Sequence, residues 1–415
     1  MAKSAVELNG VTYRMPTRPV MVVCIDGGDP SYIQHGLKRG FLPNIAAFAA
    51  KGFSVVAEGA MPSLTNPNNM SIVTGRPPSV HGISGNYFLD PATGAEVMMN
   101  DPSFLRAETI LSRFSQSGAK VVSITAKDKL RQMLGKGLDF GNGCINFSAE
   151  KADRATKAEN GIDDVLRFVG LPLADVYSAD LSHFVLEAGV KILEKHRPEI
   201  MYLSLTDYIQ HKYAPGTPEA DDFFAKLDHA FGRLAGLGAV VAITADHGMS
   251  DKSKPEGSPN VLYLQDALDA EFGPGRTRVI LPITDPYVVH HGALGGFSRV
   301  YCGVGVRPRD VQAFARSLPG VEAVYDKKTA CRTFEQPADR EGDVVVISNA
   351  NAAIGSSQAK HDLSGLKGHR LRSHGGLAER RVPVILSSPL SAAYRQRAAA
   401  GVRSYEIFDY AINGT

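Results

Sequence analysis

Residues 19–25 (PVMVVCI) form an unbroken apolar run that stops at Asp26-Gly27-Gly28. A strand with one wet face alternates polar and apolar residues; a strand that does not alternate is covered on both faces. Three further apolar runs lie at 119–125 (AKVVSIT), 200–205 (IMYLSL) and 239–244 (AVVAIT). Segments with helical spacing separate them, at 43–52, 106–116, 182–196 and 218–234. The first of these opens with proline and closes with glycine, as helices prefer. Residues 53–57 read as one more strand. This β-then-α rhythm predicts an α/β fold whose mostly parallel central sheet is sandwiched by helices.

The rhythm breaks after His247. Residues 251–259 (DKSKPEGSP) read as a linker or mobile loop. Beyond them, strand patterns at 298–304, 321–325 and 343–348 and a helical one at 308–318 suffice for a small α+β unit. A glycine- and base-rich stretch, 364–376, leads to a resumed buried strand at 382–386 (VPVIL) and a helix at 405–412. The expected organisation is a core built from 1–252 and 370–415, with a cap domain inserted at 253–369. With 44% hydrophobic and 21% charged residues, the chain has globular composition, which excludes disordered and fibrous classes. Basic and acidic side chains number 45 and 43, so no charge excess points to nucleic acid or an anionic membrane. No apolar run approaches the roughly 20 residues of a membrane span. Residues 1–19 are polar and lack the apolar centre of a signal peptide. Cys24, Cys144, Cys302 and Cys331 are scattered, without the CxxC pattern of disulfide frameworks or zinc knuckles. A reducing, cytoplasmic location is therefore expected.

In open α/β sheets, ligands collect at the carboxyl ends of the strands. The residues that follow the apolar runs are Asp26, Asp207 and Asp246-His247. One aspartate at a strand end is commonly a cap or turn former; three are harder to dismiss. His211 lies four residues after Asp207, so a helix starting near Tyr208 would put both on one face, where they could share a cation. Gly248 permits a sharp turn after His247. His374-Gly375-Gly376 directly precedes the strand VPVIL. Carboxylates with imidazoles suit zinc, and manganese or iron(II) would also be accepted. In 62–70 (PSLTNPNNM), Thr65 falls at or near a helix N-terminus, which favours anions. Beside a metal, its hydroxyl becomes a candidate nucleophile.

Together, Asp26, Thr65, Asp207-x-x-x-His211, Asp246-His247 and His374-Gly-Gly follow the order and rough spacing of the alkaline phosphatase superfamily. They resemble most its nucleotide pyrophosphatase/phosphodiesterase branch, across residues 20–252 and 370–415. The resemblance implies two zinc ions. One would be held by Asp207, His211 and His374. The other would be held by Asp26, Asp246 and His247, with Thr65 reaching it as nucleophile. Asn86, in 81–87 (HGISGNY), would hydrogen-bond a phosphoryl oxygen. Two dications can clamp the attacking and leaving groups of an in-line displacement. The resemblance also suggests a homodimer.

The strand AKVVSIT ends in Ala126-Lys127-Asp128-Lys129. Cations at a helix start oppose its macrodipole, so local stability does not explain this pair. A small substrate with a second anionic group would. With the segments SLTNPNN, LTDYIQHKYAPG and TADHGM, the Lys-x-Lys is similar to members of the branch that hydrolyse phosphonoacetate to acetate and phosphate. That implies Lys127 and Lys129 at the substrate carboxylate, where charge grows as the carbon leaves. Asn86 and His211 would also face substrate. Thr65 would pass through a phosphothreonine, with direct attack by a metal-activated hydroxide as the alternative. A broad phosphodiesterase on the same site is the rival; Tyr87, Phe88 and Tyr213 could supply its aromatic slot. A non-catalytic metal or phosphonate binder would need neither Thr65 nor the lysines. His81 reads as structural and Cys24 as core. The tandem His290-His291 has no assigned role, and Arg370 with Arg372 fits either an anion site or a solvated turn.

Overall fold

Seven strands build the central sheet of the computed structural model, which describes residues 5–283, 292–366 and 368–415. In chain order they are β1 (Val20–Cys24), β2 (Phe53–Glu58), β3 (Val121–Thr125), β4 (Ile145–Ser148), β5 (Ile200–Ser204), β6 (Val240–Thr244) and β7 (Arg381–Leu386). Across the sheet they run β2-β7-β6-β1-β5-β3-β4. The five from β6 to β4 pair in parallel, and β7 is antiparallel to both of its neighbours. Every residue of β1, β3, β4, β5 and β6 is buried. Met21 and Val23 of β1 pack under helices α1 (Pro30–Arg39), α2 (Pro43–Lys51), α4 (Asp180–His196) and α5 (Pro218–Gly236). Val20, Val22 and Cys24 pack on the other face, with α3 (Thr65–Thr74) and α6 (Ile407–Asn413). Sheet and helices thus match the sequence expectation, and Cys24 is core.

The reversal of β7 positions the site. Because β7 runs against β6, the chain entering β7 arrives at the edge where β1, β5 and β6 end. His374 precedes its strand, yet it meets the aspartates that follow theirs.

A second, four-stranded antiparallel sheet runs in the order Thr277–Ile280, Phe297–Cys302, Val344–Ser348, Val321–Asp326. The helix Pro308–Ser317 packs on one face through Val311 and Ala315, and Lys327–Phe334 on the other through Ala330 and Phe334. Met61 joins the second of these clusters and Leu64 the first, so the turn before Thr65 sits against this sheet. Arg299 is buried with Glu341 at 2.5 Å and donates to the Ser84 carbonyl at 2.9 Å, which ties the Asn86 loop to the same unit.

Some boundaries differ from expectation. The helix anticipated at 106–116 begins at Ile110, because the Thr109 hydroxyl caps it by accepting from the Ser112 N–H. The last helix opens with a 3-10 turn, Ser404–Glu406. The segment read as a linker is anchored at its start. Ser250–Asp251 pairs with Arg372–Ser373, and Lys252 is fully buried. Its pairing partner lies far along the chain, where local composition gives no sign of it. His290 and His291 lie outside the described residues.

Candidate active site

Asp26, Asp207 and Asp246 stand two or three residues beyond the ends of β1, β5 and β6, and all three are buried. The short helix Tyr208–Lys212 starts after Asp207 and returns His211 to it, Nε2 to Oδ2 at 2.8 Å. His374 Nε2 lies 4.0 Å from the same oxygen. His247 Nε2 lies 3.2 Å from Asp26 Oδ1 and 3.7 Å from Asp246 Oδ2. Among the described residues, two groups could each hold a metal ion: Asp207, His211, His374 and Asp26, Asp246, His247, with ligand atoms within 4.8 Å of one another in each. The groups adjoin, since the His247 and His374 rings stack at 3.5 Å.

Each imidazole is set for metal by its far nitrogen. Nδ1 of His211 donates to the Arg372 carbonyl at 2.8 Å, that of His247 to Gly248 at 2.9 Å, and that of His374 to Ser63 at 2.8 Å. A proton fixed on Nδ1 leaves the Nε2 lone pair for a cation. The charge balance points the same way. Burial, and then the neighbouring Asp26, push the Asp246 carboxyl well above the ordinary carboxylate range. Burial would lower His247, but Asp246 and Asp26 outweigh it and raise it to about 10. Burial, then His247 and His211, hold His374 well below its ordinary value. Asp26 Oδ1 and His247 Nε2 are buried without a well-aligned hydrogen bond among the described residues. Bound dications would satisfy these atoms and balance the carboxylates, so the residues fit two metals.

Thr65 is the first residue of α3, and every residue of that helix is buried. Its asparagines are committed to structure. Asn68 Oδ1 accepts from the Ala60 N–H at 2.7 Å, and Asn66 Nδ2 donates to the Met99 carbonyl at 2.8 Å. Asn86 Oδ1 accepts from the Asn66 N–H at 2.8 Å. That bond occupies one helix-start donor and orients the Asn86 amide beside Thr65. Asn69, which the sequence reading missed, donates to the Thr65 carbonyl at 3.0 Å and to Asp246 Oδ2 at 3.3 Å. It accepts from Tyr202 and Ser204 of β5 at 2.7 and 3.0 Å. Its place four residues after Thr65, on the same helix face, was the available signal.

Lys127 Nζ lies 3.9 Å from Asp207 Oδ1. Lys127 and Lys129 line a cavity of about 300 Å³ with Asn100, Gln132, Glu150 and Tyr177. Their turn is braced from below: the Asp128 N–H donates to Glu150 at 2.7 Å, and the Asp128 carboxylate takes Ser148, Arg131 and Lys151 at 2.7–2.8 Å. These partners hold the Asp128 carboxyl below its ordinary value despite its burial.

Of the aromatic slot candidates, Phe88 is core, packed edge-on against Phe104, while Tyr213 meets His369. Arg370 pairs with Asp251 at the surface at 2.6 Å. Arg372 is buried, donates to the Gln210 carbonyl at 2.8 Å, and positions His211 through its own carbonyl. His81 is structural: its Nδ1 accepts from the Ile83 N–H and its Nε2 bonds Ser71 of α3 at 2.9 Å.

Two metal-competent groups thus lie at the carboxyl edge of a mostly parallel sheet, tied to the start of α3 through Asn69 and through Ser63. Residues 20–376 match the family model for type I phosphodiesterase / nucleotide pyrophosphatase, and the chain belongs to that family. Its sequence is 49% identical to phosphonoacetate hydrolase from Sinorhizobium meliloti 1021, solved with phosphonoformate and with phosphonoacetate. The two superpose over 100% of both chains with a TM-score of 0.94. Murine ectonucleotide pyrophosphatase / phosphodiesterase 5 shares the fold at 17% identity, with a TM-score of 0.63 over 96% of both chains. An uncharacterized pyrophosphatase/phosphodiesterase of Schizosaccharomyces pombe is 24% identical over 245 residues, a match that spans 56% of this chain but only 45% of that relative.

Proposed function

We propose that this chain hydrolyses the carbon–phosphorus bond of phosphonoacetate, giving acetate and phosphate. The carrying observation is Lys127, 3.9 Å from Asp207 of one metal-competent group, which with Lys129 lines a cavity suited to a second anionic group. The full-length similarity to a phosphonoacetate hydrolase supports it. Asp207, His211 and His374 would hold one divalent ion, and Asp26, Asp246 and His247 the other. Zinc suits these nitrogen and oxygen donors best, with manganese or iron(II) also compatible. Such ions neutralise phosphoryl charge and make a nearby hydroxyl easier to deprotonate.

Thr65 Oγ1 gives up its proton to solvent and attacks phosphorus; the O–P bond forms as the C–P bond breaks, and the electron pair leaves with carbon. Lys127 and Lys129 hold the carboxylate onto which that charge delocalises, so their attraction grows in the transition state. A solvent proton completes acetate. Asn86 holds a phosphoryl oxygen, and water then cleaves the phosphothreonine to phosphate and the free hydroxyl. Residues 253–369 are taken as a cap inserted between 1–252 and 370–415; its separate four-stranded sheet supports that division. The assembly is taken as a cytoplasmic homodimer, which sedimentation and fractionation check. Among the described residues, no helix is long and apolar enough to cross a membrane.

The test is a substrate panel on zinc-loaded protein: phosphonoacetate, other phosphonates, a nitrophenyl monoester and a nitrophenyl diester. Phosphonoacetate should give the highest kcat/KM. A preference for the diester would instead make the chain a phosphodiesterase on the same site.

A further inference from the structure

Lys252 and Glu379 form an ion pair at 2.9 Å in which neither side chain is exposed. Taking two charges out of water is costly, and an apolar pair would often fill the space as well. The partners of Glu379 explain its presence. Its Oε1 takes the Lys252 ammonium, and its Oε2 accepts from the Gly376 N–H at 2.8 Å. Its carbonyl accepts from the Gly248 N–H at 2.7 Å. Gly376 closes the His374-Gly-Gly turn and Gly248 follows His247. One residue therefore grips both segments that carry the stacked imidazoles.

The connection continues to the nucleophile turn. The Ser63 hydroxyl donates to the Gly376 carbonyl at 2.9 Å, and its N–H donates to the Gly375 carbonyl at 3.3 Å. Its own carbonyl accepts from His374 Nδ1 at 2.8 Å. Ser63 stands two residues before Thr65. On the far side, Lys252 is fixed by its N–H to the Leu371 carbonyl at 2.7 Å and by its carbonyl to the Asn260 N–H at 2.8 Å. The ammonium thus comes from a held backbone. The bracing is tight: a Cβ on Gly296 would stand 2.6 Å from the Gly376 nitrogen, and one on Gly248 would stand 2.5 Å from Asp29.

We propose that the buried Lys252–Glu379 pair is a positioning device for the His374 metal ligand and, through Ser63, for the Thr65 turn. The proposal rests on the metal-site reading above. Two oxygens of one carboxylate let Glu379 hold ammonium and amide together, with the charge strengthening both bonds. Their side chains bond each other, the Asn349 carbonyl and the Gly376 N–H.

The test compares wild type with Glu379→Asp and with the double variant Lys252→Met/Glu379→Gln, which leaves no unpaired charge. Cobalt(II) titration followed by absorbance, zinc competition with a chelator, melting temperature and phosphonoacetate kinetics are read on each. The double variant should melt near wild type, yet bind one of two metals about tenfold more weakly, with an altered cobalt spectrum and a lower kcat at little-changed KM. Glu379→Asp should fall between it and wild type. Variants that keep wild-type cobalt binding, spectrum and kcat, whatever their melting temperature, would overturn the proposal. Failure of wild type itself to bind two cobalt ions would overturn the metal reading instead.

Discussion

Thr65 and the lysine pair divide the proposed chemistry between two side-chain types, and substitution separates them. The Thr65 backbone is held by Asn69 and the start of α3 rather than by its own side chain. Thr65→Ala should therefore leave the fold and both metals in place while kcat falls by about three orders of magnitude or more. Quantifying bound metal alongside turnover checks this, and near-normal activity would remove Thr65 from the nucleophile role. In the proposed reaction the lysines act on a different part of the substrate. Lys127→Met or Lys129→Met should lower kcat/KM for phosphonoacetate about 10- to 100-fold, with kcat falling as well, the worth of a lost charged contact that strengthens in the transition state. Hydrolysis of an uncharged-tail nitrophenyl diester should change little. Equal losses on both substrates would show that the lysines serve the metals or the fold and not a carboxylate.

The strands were legible because burial on both faces writes itself as unbroken apolar runs, and the three aspartates were legible because they end such runs. His374 was not legible that way: it precedes β7, and only the antiparallel pairing of β7 with β6 brings it to the shared edge. Local sequence does not encode that direction, so the His-Gly-Gly pattern alone marked it. β4 went unread because INFS is short and carries Asn146. Thr65 was legible at the start of helix α3, but Asn69 was not, since all the helix's residues are buried and no amphipathic stripe exists to read. Its packing includes a titration. Burial depresses the His81 pKa from 6.5 to about 3, Arg340 adding to the effect, so the folded protein keeps a neutral ring bonded to Ser71. The folded pKa is the lower one. The unfolded chain therefore takes the proton first as pH falls, and stability drops from about pH 6.5 down to about 3 at a limiting slope of about 1.4 kcal/mol per pH unit. Melting curves across that range should be flatter for His81→Gln than for wild type. Parallel curves would mean that the ring does not titrate between the two states.

Across the whole molecule, the two metal-competent groups draw on both ends of the chain. Asp26 comes from the first core strand, Asp207, His211, Asp246 and His247 from the middle, and His374 from the segment after the four-stranded sheet. Three buried carboxylates converge there, and burial together with the neighbouring Asp26 pushes the Asp246 carboxyl up, while Asp246 and Asp26 raise His247 against its burial. Divalent ions at the two groups would replace that repulsion with cross-links between distant segments. The unfolded chain has no such site, so binding favours the native state by mass action, about 4 kcal/mol per ion at a thousandfold excess over Kd. For a chain of this length, removing both ions should lower the melting temperature by about 5–10 °C. Hydrogen exchange should locate the loss: chelation should speed exchange at 62–66 and 372–376, where Ser63 and His374 are joined, and leave β1, β5 and β6 protected. Adding zinc back should restore melting temperature, protection and turnover together. If chelated and zinc-loaded protein melt and exchange alike, the convergence of these six ligands is packing alone, and the hydrolytic reading loses its foundation.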